Sequence, residues 1–140
     1  MDVRTLLVGD YIDAVMFKGQ KVTREISAFD TKPLEDMNKK VKTRGIVSFK
    51  GSDKKFILNT TNTKCIMQMF GPESDDWIGK RVTLYPEKNG KSESGEAIRV
   101  WGSPDIAKSL TFTIKIGLTK QTFTMHKVDA GNRDRQPGED

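Results

Sequence analysis

Apolar and polar residues alternate with a period of two along most of this 140-residue chain, and one stretch repeats with helical spacing. Val22, Ile26 and Ala28 share a face within Lys21–Phe29, interrupted by Arg24, which predicts a first strand. Val41–Lys50 is rich in β-branched residues and predicts a second strand, with Gly45 marking a bulge or bend. Gly51-Ser52-Asp53 turns the chain back into a third strand over Lys54–Asn59. Val82 and Leu84 alternate with Arg81, Thr83 and Tyr85, and Ile98 and Val100 alternate with Ala97, Arg99 and Trp101. These two strands, joined by the polar loop 87–96, form a hairpin whose outward faces set arginines beside aromatic rings. A second hairpin follows in Thr111–Ile116 and Thr122–Val128, with Phe112, Ile114 and Ile116 facing inward.

The helical stretch is Thr60–Phe70. Ile66, Met69 and Phe70 make its apolar stripe, and Thr61 or Asn62 is positioned to cap its first amides. Gly71 and Pro72 end it. Cys65 beside the stripe reads as a small core residue, and Trp77 as core. Glu73–Asp76 reads as a solvated acidic turn, and His126 as a structural or surface residue rather than a general base. Residues 1–20 predict a short helical lid with Ile12, Val15 and Met16 on one side, and 30–40 a polar connection opening with a turn. Asp129–Asp140 lacks any large apolar residue and predicts a disordered tail.

This order predicts a mainly β protein, a five-stranded Greek-key barrel of the OB-fold type. Its one short helix lies between strands 3 and 4, and a C-terminal hairpin is appended over 109–128. Residues 1–128 are read as one domain. The connections 30–40 and 87–96 then fall where such barrels place the loops flanking a ligand groove.

Charge sharpens that reading. Of the net +5, residues 39–55 carry +6, seven lysines and arginines against Asp53 alone, while 1–38 carry −2 and 56–140 carry +1. Concentrated positive charge is the footprint of a phosphate-binding surface. Charged residues make up 31% of the chain and hydrophobic ones 35%, so a small core under a wide solvated surface is expected.

Other chemistries lack their residues. One cysteine and one histidine provide neither an internal disulfide nor a cysteine/histidine zinc cluster, and no cofactor is expected. No phosphate loop, nucleophile elbow or helix-borne acid/base pair is present, so no catalytic residue is assigned. No run approaches the ~20 apolar residues of a membrane span, and the first ten residues are too short and acidic for a secretory signal, so a cytosolic chain is expected.

The expected function is sequence-tolerant binding of single-stranded DNA. Phosphates would be met by Lys42, Arg44, Lys50, Lys55, Arg81 and Arg99, with Lys88 and Lys91 from the loop. Bases would stack on Phe49, Tyr85 and Trp101, although Tyr85 and Trp101 equally suit packing against the appended hairpin. The alternative is a protein-interaction module holding a recombinase, a polymerase or a host factor, a reading to which the acidic end Gly138-Glu139-Asp140 lends slight support. Residue types do not choose between DNA and RNA, and a homo-oligomer paired through the hairpin edge stays open.

Tyr11-Ile12-Asp13-Ala14, Gly19–Thr23, Leu58–Asn62, Phe70-Gly71, Asp75–Tyr85, Ala97–Val100, Gly102–Ile106 and Met125–Val128 together resemble a family of small tailed-phage proteins. The likeness spans roughly residues 9–128, with Asp76-Trp77-Ile78-Gly79-Lys80 its most specific part. It implies phage origin, a setting among replication and recombination proteins, and the cytoplasm of an infected bacterial host. It implies no assigned activity and no known functional residues.

Overall fold

The computed structural model describes residues 11–35, 38–88 and 96–129, so the expectations for 1–10, for the loop between 89 and 95 and for the tail from 130 fall outside the described residues. The chain runs β1 (Val22–Glu35), β2 (Val41–Phe49), β3 (Lys55–Ile57), α1 (Thr60–Phe70), β4 (Arg81–Lys88), β5 (Glu96–Ser103), β6 (Leu110–Ile116) and β7 (Thr119–Lys127), with single 3₁₀ turns at Ala14–Phe17 and Ser74–Trp77. The protein is mainly β with one helix.

The strands form one mixed sheet in the order β3-β2-β1-β4-β5-β7-β6, antiparallel throughout except where β7 runs parallel to β5. A five-stranded closure would need β3 beside β5. The pairings instead give the free edge of β5 to β7, and the sheet stays open. Gly102 makes that junction possible, because a Cβ there would meet the carbonyl oxygen and amide nitrogen of His126. The C-terminal hairpin is therefore an integral part of the sheet rather than an appendage.

β1 serves two neighbours. Val22–Glu25 pair with β4, and from Ile26 onward the strand pairs with β2, with a register shift between Ile26 and Ala28. The extra residue of a bulge reverses which side chains face inward. Hence Ile26 is fully buried, Ala28 is exposed rather than sharing its face, and Phe29 turns in to meet Trp77 edge-on at 5.3 Å. β1 also continues to Glu35, through the segment expected to be a connection, so that β1 and β2 extend as a two-stranded ribbon. Pro33 is tolerated there because β1 has no second neighbour at that point.

The cap of α1 lies two to three residues earlier than Thr61 or Asn62 would place it. Asn59 is the N-cap, its Oδ1 accepting from the Asn62 amide at 2.7 Å. Gly71 closes the helix at φ +96°. Ile66 and Cys65 are buried beneath it, and a single core joins them to Ile26, Val47, Phe49, Phe56, Leu84, Val100, Ile114 and Met125. Trp77 is buried as expected, its Nε1 donating to the Gly71 carbonyl at 2.9 Å. At the N-terminal turn, Ala14 and Phe17 are the buried residues and Met16 is exposed, because one tight turn aligns positions three apart. No helix among the described residues is long and apolar enough to cross a membrane.

Candidate nucleic-acid interface

Two clefts lie against the first turns of α1. The first, about 390 Å³, lies where the β1–β2 ribbon passes the helix. Its floor is Phe29, Gly45 and Leu58, and its sides carry Thr31, Thr43, Thr60 and Thr63 together with Lys42, Arg44 and Lys64. No carboxylate is among its lining residues. Neither Lys42 nor Arg44 has an ion-pair partner among the described residues, and Lys64 Nζ donates to the Lys115 carbonyl at 3.0 Å. Asn59 and Thr60 bring the positive end of the helix to the same cleft. Gly45 keeps the floor open, since a Cβ there would stand 2.9 Å from the Phe29 ring and 3.3 Å from Leu58. Cations without ion-pair partners among the described residues, hydroxyl donors and a helix N-terminus are together suited to phosphate oxygens.

The second cleft, about 310 Å³, lies on the adjacent side of α1 between the β4–β5 hairpin and β7. Thr61, Asn62 and Cys65 come from the helix, Tyr85, Glu87, Arg99 and Trp101 from the hairpin, and Thr122–His126 from β7. Trp101 stacks on His126 with centroids 4.0 Å apart and planes 17° off parallel, and Tyr85 stands edge-on to it at 5.5 Å. Lys21 Nζ lies 4.2 Å from the Trp101 centroid, a cation–π contact. Arg99 Nε donates to Glu87 Oε2 at 2.9 Å. Burial pushes the Cys65 thiol up to about 11 despite nearby Arg99, so it stays neutral at ordinary pH. Burial, with Glu87 assisting, also raises the Tyr85 phenol. Asn62 is 2% exposed, and its Nδ2 donates to the Ile98 carbonyl at 2.9 Å while Oδ1 has no partner among the described residues.

The sequence-predicted set is thus divided. Lys42 and Arg44 enter the basic cleft, and Tyr85, Arg99 and Trp101 enter the aromatic one. Of the two roles open to Trp101, contact with the hairpin is the one it fills, through His126. Phe49 belongs to neither cleft. It is 2% exposed and stacked on Phe56, because strand alternation puts Phe49 on the same face of β2 as Val47 and that face is the one turned to the core, so its ring is withdrawn from any bound base. Arg81 is committed to Asp105, which accepts from Nε at 3.1 Å, from Nη2 at 2.7 Å and from the Arg81 backbone amide at 2.6 Å. These bonds hold the Asp105 carboxyl below its ordinary range and raise the guanidinium. Lys50 and Lys55 are exposed around the β2–β3 turn, and Lys88 is exposed at the end of β4; none lines either cleft. Lys91 lies outside the described residues. Lys64, Thr60, Thr63 and Asn62 were not singled out as ligand contacts from sequence. Their signal was the polar run Asn59–Lys64, read there for capping alone. Among the described residues no group of three or more histidines, cysteines and carboxylates is placed to hold a metal ion.

No protein-family model matches the chain, and no curated protein or solved structure matches it either.

Proposed function

We propose that this chain is a sequence-tolerant single-stranded DNA-binding protein with an OB-like architecture, and that its basic cleft is where the strand's phosphates are held. The observation that carries the reading is the composition of that cleft. Lys42, Arg44 and Lys64 converge there with four threonines and a helix N-terminus, and no acid lines it. Phosphate contacts position a strand without reading its bases, hence the tolerance of sequence.

The OB-like architecture is supported by the helix between β3 and β4 and by β1 pairing with both β2 and β4. The strand run β3-β2-β1-β4-β5 within the larger sheet supports it too. The resemblance to small tailed-phage proteins supports a place in phage replication or recombination, in the cytoplasm of the infected bacterial host, with proteins of those processes as partners.

Fluorescence anisotropy of a labelled 30-base oligothymidylate tests the reading. Three phosphate contacts correspond to a log–log salt slope of about −2, that is, roughly twentyfold weaker binding between 50 and 200 mM salt. Duplex DNA is expected to compete poorly. Absence of binding at low salt overturns the reading and turns attention to a protein partner for the basic ribbon.

A further inference from the structure

The β1–β2 ribbon does more than wall the basic cleft. From the pair Thr31/Gly45 out to Glu35/Val41 no third strand lies beside it, because β4 pairs only with Val22–Glu25 of β1 and β3 only with Ile46–Ser48 of β2. At about 3.4 Å per residue those five pairs run for about 14 Å. None of the ten residues is buried. A two-stranded ribbon without a buried face is marginal by itself, so packing does not account for its length.

Charge is sorted between its two faces. Alternation puts Lys32, Lys42 and Arg44 on one face, and Glu35, the one acid among these ten residues, on the other with Thr31 and Thr43. Lys32 and Arg44 are direct cross-strand partners, and Lys42 stands diagonal to Lys32. Like charges directly opposite each other destabilise a ladder. None of the three has an ion-pair partner among the described residues, and Lys32 Nζ reaches the Tyr11 hydroxyl at 3.5 Å. An anion brought to this face relieves the repulsion. Lys39, exposed, adds a further cation at the ribbon's end. Lys42 and Arg44 also line the basic cleft, whereas Lys32 and Lys39 line neither cleft.

A single strand in the cleft therefore leaves Lys32 and Lys39 unused. The shape of the ribbon says what would use them. The major groove of B-form DNA, about 12 Å wide and about 8.5 Å deep, admits a two-stranded β-ribbon, and one about 14 Å long reaches its floor. We propose that the β1–β2 ribbon enters the major groove of duplex DNA flanking the strand in the basic cleft, so that the protein seats on a junction of single strand and duplex. Lys32 and Lys39 meet duplex phosphates, while Lys42 and Arg44 stand between the two. The junction rests on the single-stranded DNA reading; the groove contact does not.

Anisotropy with the full chain tests this on four labelled probes. They are 30-base oligothymidylate, the same strand extended into a 15-base-pair DNA duplex, the same strand extended into an RNA duplex of that length, and the blunt DNA duplex alone. The DNA junction is expected to bind at least tenfold tighter than oligothymidylate at 50 mM salt. Its log–log salt slope should be steeper by about 2, at ~0.9 for each of two added duplex phosphates. The RNA tail should give less than a twofold gain, since it offers similar charge around a major groove too deep and narrow to enter. Lys32→Gln combined with Lys39→Gln, both at exposed positions, should erase the DNA junction's margin and leave oligothymidylate affinity within twofold.

Oligothymidylate that binds without any gain from the DNA tail overturns the proposal and leaves the strand-binding reading standing. So does a margin that the RNA tail shares or that the double variant keeps. Blunt duplex that binds through Lys32 and Lys39 while oligothymidylate does not bind does the reverse, keeping the groove contact and removing the single-strand reading. Failure of all four probes overturns both.

Discussion

The two clefts share one helix and differ in what their walls do with charge. On one side, Lys42 and Arg44 stand on a ribbon that has outrun the core, where few neighbours exist to pair with them. On the other, β7 has joined the edge of β5 and brought His126 onto Trp101, while Glu87 satisfies Arg99. The basic cleft keeps its electrostatic free energy unspent and offers it to a ligand. The aromatic cleft has used most of its interactions on the fold and retains hydrogen-bonding shape. Strand affinity should therefore follow the first, and stability the second.

Charge reversal probes that division most strongly. Lys42→Glu combined with Arg44→Glu is expected to reduce oligothymidylate affinity by about a hundredfold at low salt and to flatten the salt slope by about 1.4, at ~0.7 per lost contact. Because both side chains are without ion-pair partners among the described residues, thermal unfolding should shift by no more than about 0.5 kcal/mol. Unchanged affinity would remove the basic cleft from the site.

Trp101→Ala should show the opposite profile. Loss of the ring that bridges Tyr85, His126 and Lys21 is expected to cost about 2–3 kcal/mol of stability in denaturant unfolding. A cycle with His126→Ala should return a coupling of about 0.5–1.5 kcal/mol. No coupling would mean that the stack does not anchor the hairpin.

A smaller effect is expected from the floor of the basic cleft. Gly45→Ala places a methyl 2.9 Å from the Phe29 ring, and the resulting crowding should cost about 1 kcal/mol, exceeding the gain from stiffening a strand glycine. A stabilised Gly45→Ala protein would show that Phe29 yields freely and that the floor is soft.

At neutral pH the smallest effect belongs to Cys65 in the aromatic cleft, whose contribution changes only in alkali. Its thiol titrates near 11 in the fold against an ordinary value of 9.0, so the folded state holds the proton more tightly. The associated stability is whole below pH 9.0 and is lost as pH rises toward 11. Cys65→Ala should flatten that alkaline decline, measured as the slope of unfolding free energy against pH. An identical slope would place the decline on another group.

Much of this was legible in the chain. The strand alternation, the helix over Thr60–Phe70, the burial of Trp77 and Cys65, and the concentration of cations in 39–55 are local properties, each written in side chains a few residues apart. Periodicity reports which side of an element is apolar, and it does so wherever the backbone stays regular. Ala28 escaped it because the irregularity after Ile26 reversed the phase within a single strand. Phe49 was misjudged for a related reason, since one strand face does not say which body of the sheet will close over it.

Which residues meet across the molecule was decided by tertiary structure alone. Arg81 and Asp105 lie 24 positions apart, Asn62 and Ile98 36 apart, and Trp101 and His126 25 apart, and none of these pairings leaves a mark in local spacing. They follow from sheet order, above all from the parallel docking of β7 on β5 through Gly102. The sequence by itself determined the elements and where positive charge is dense. Only the fold decided which of those charges would be neutralised by partners and which left for a ligand, because an ion pair depends on distance in space and not on distance along the chain.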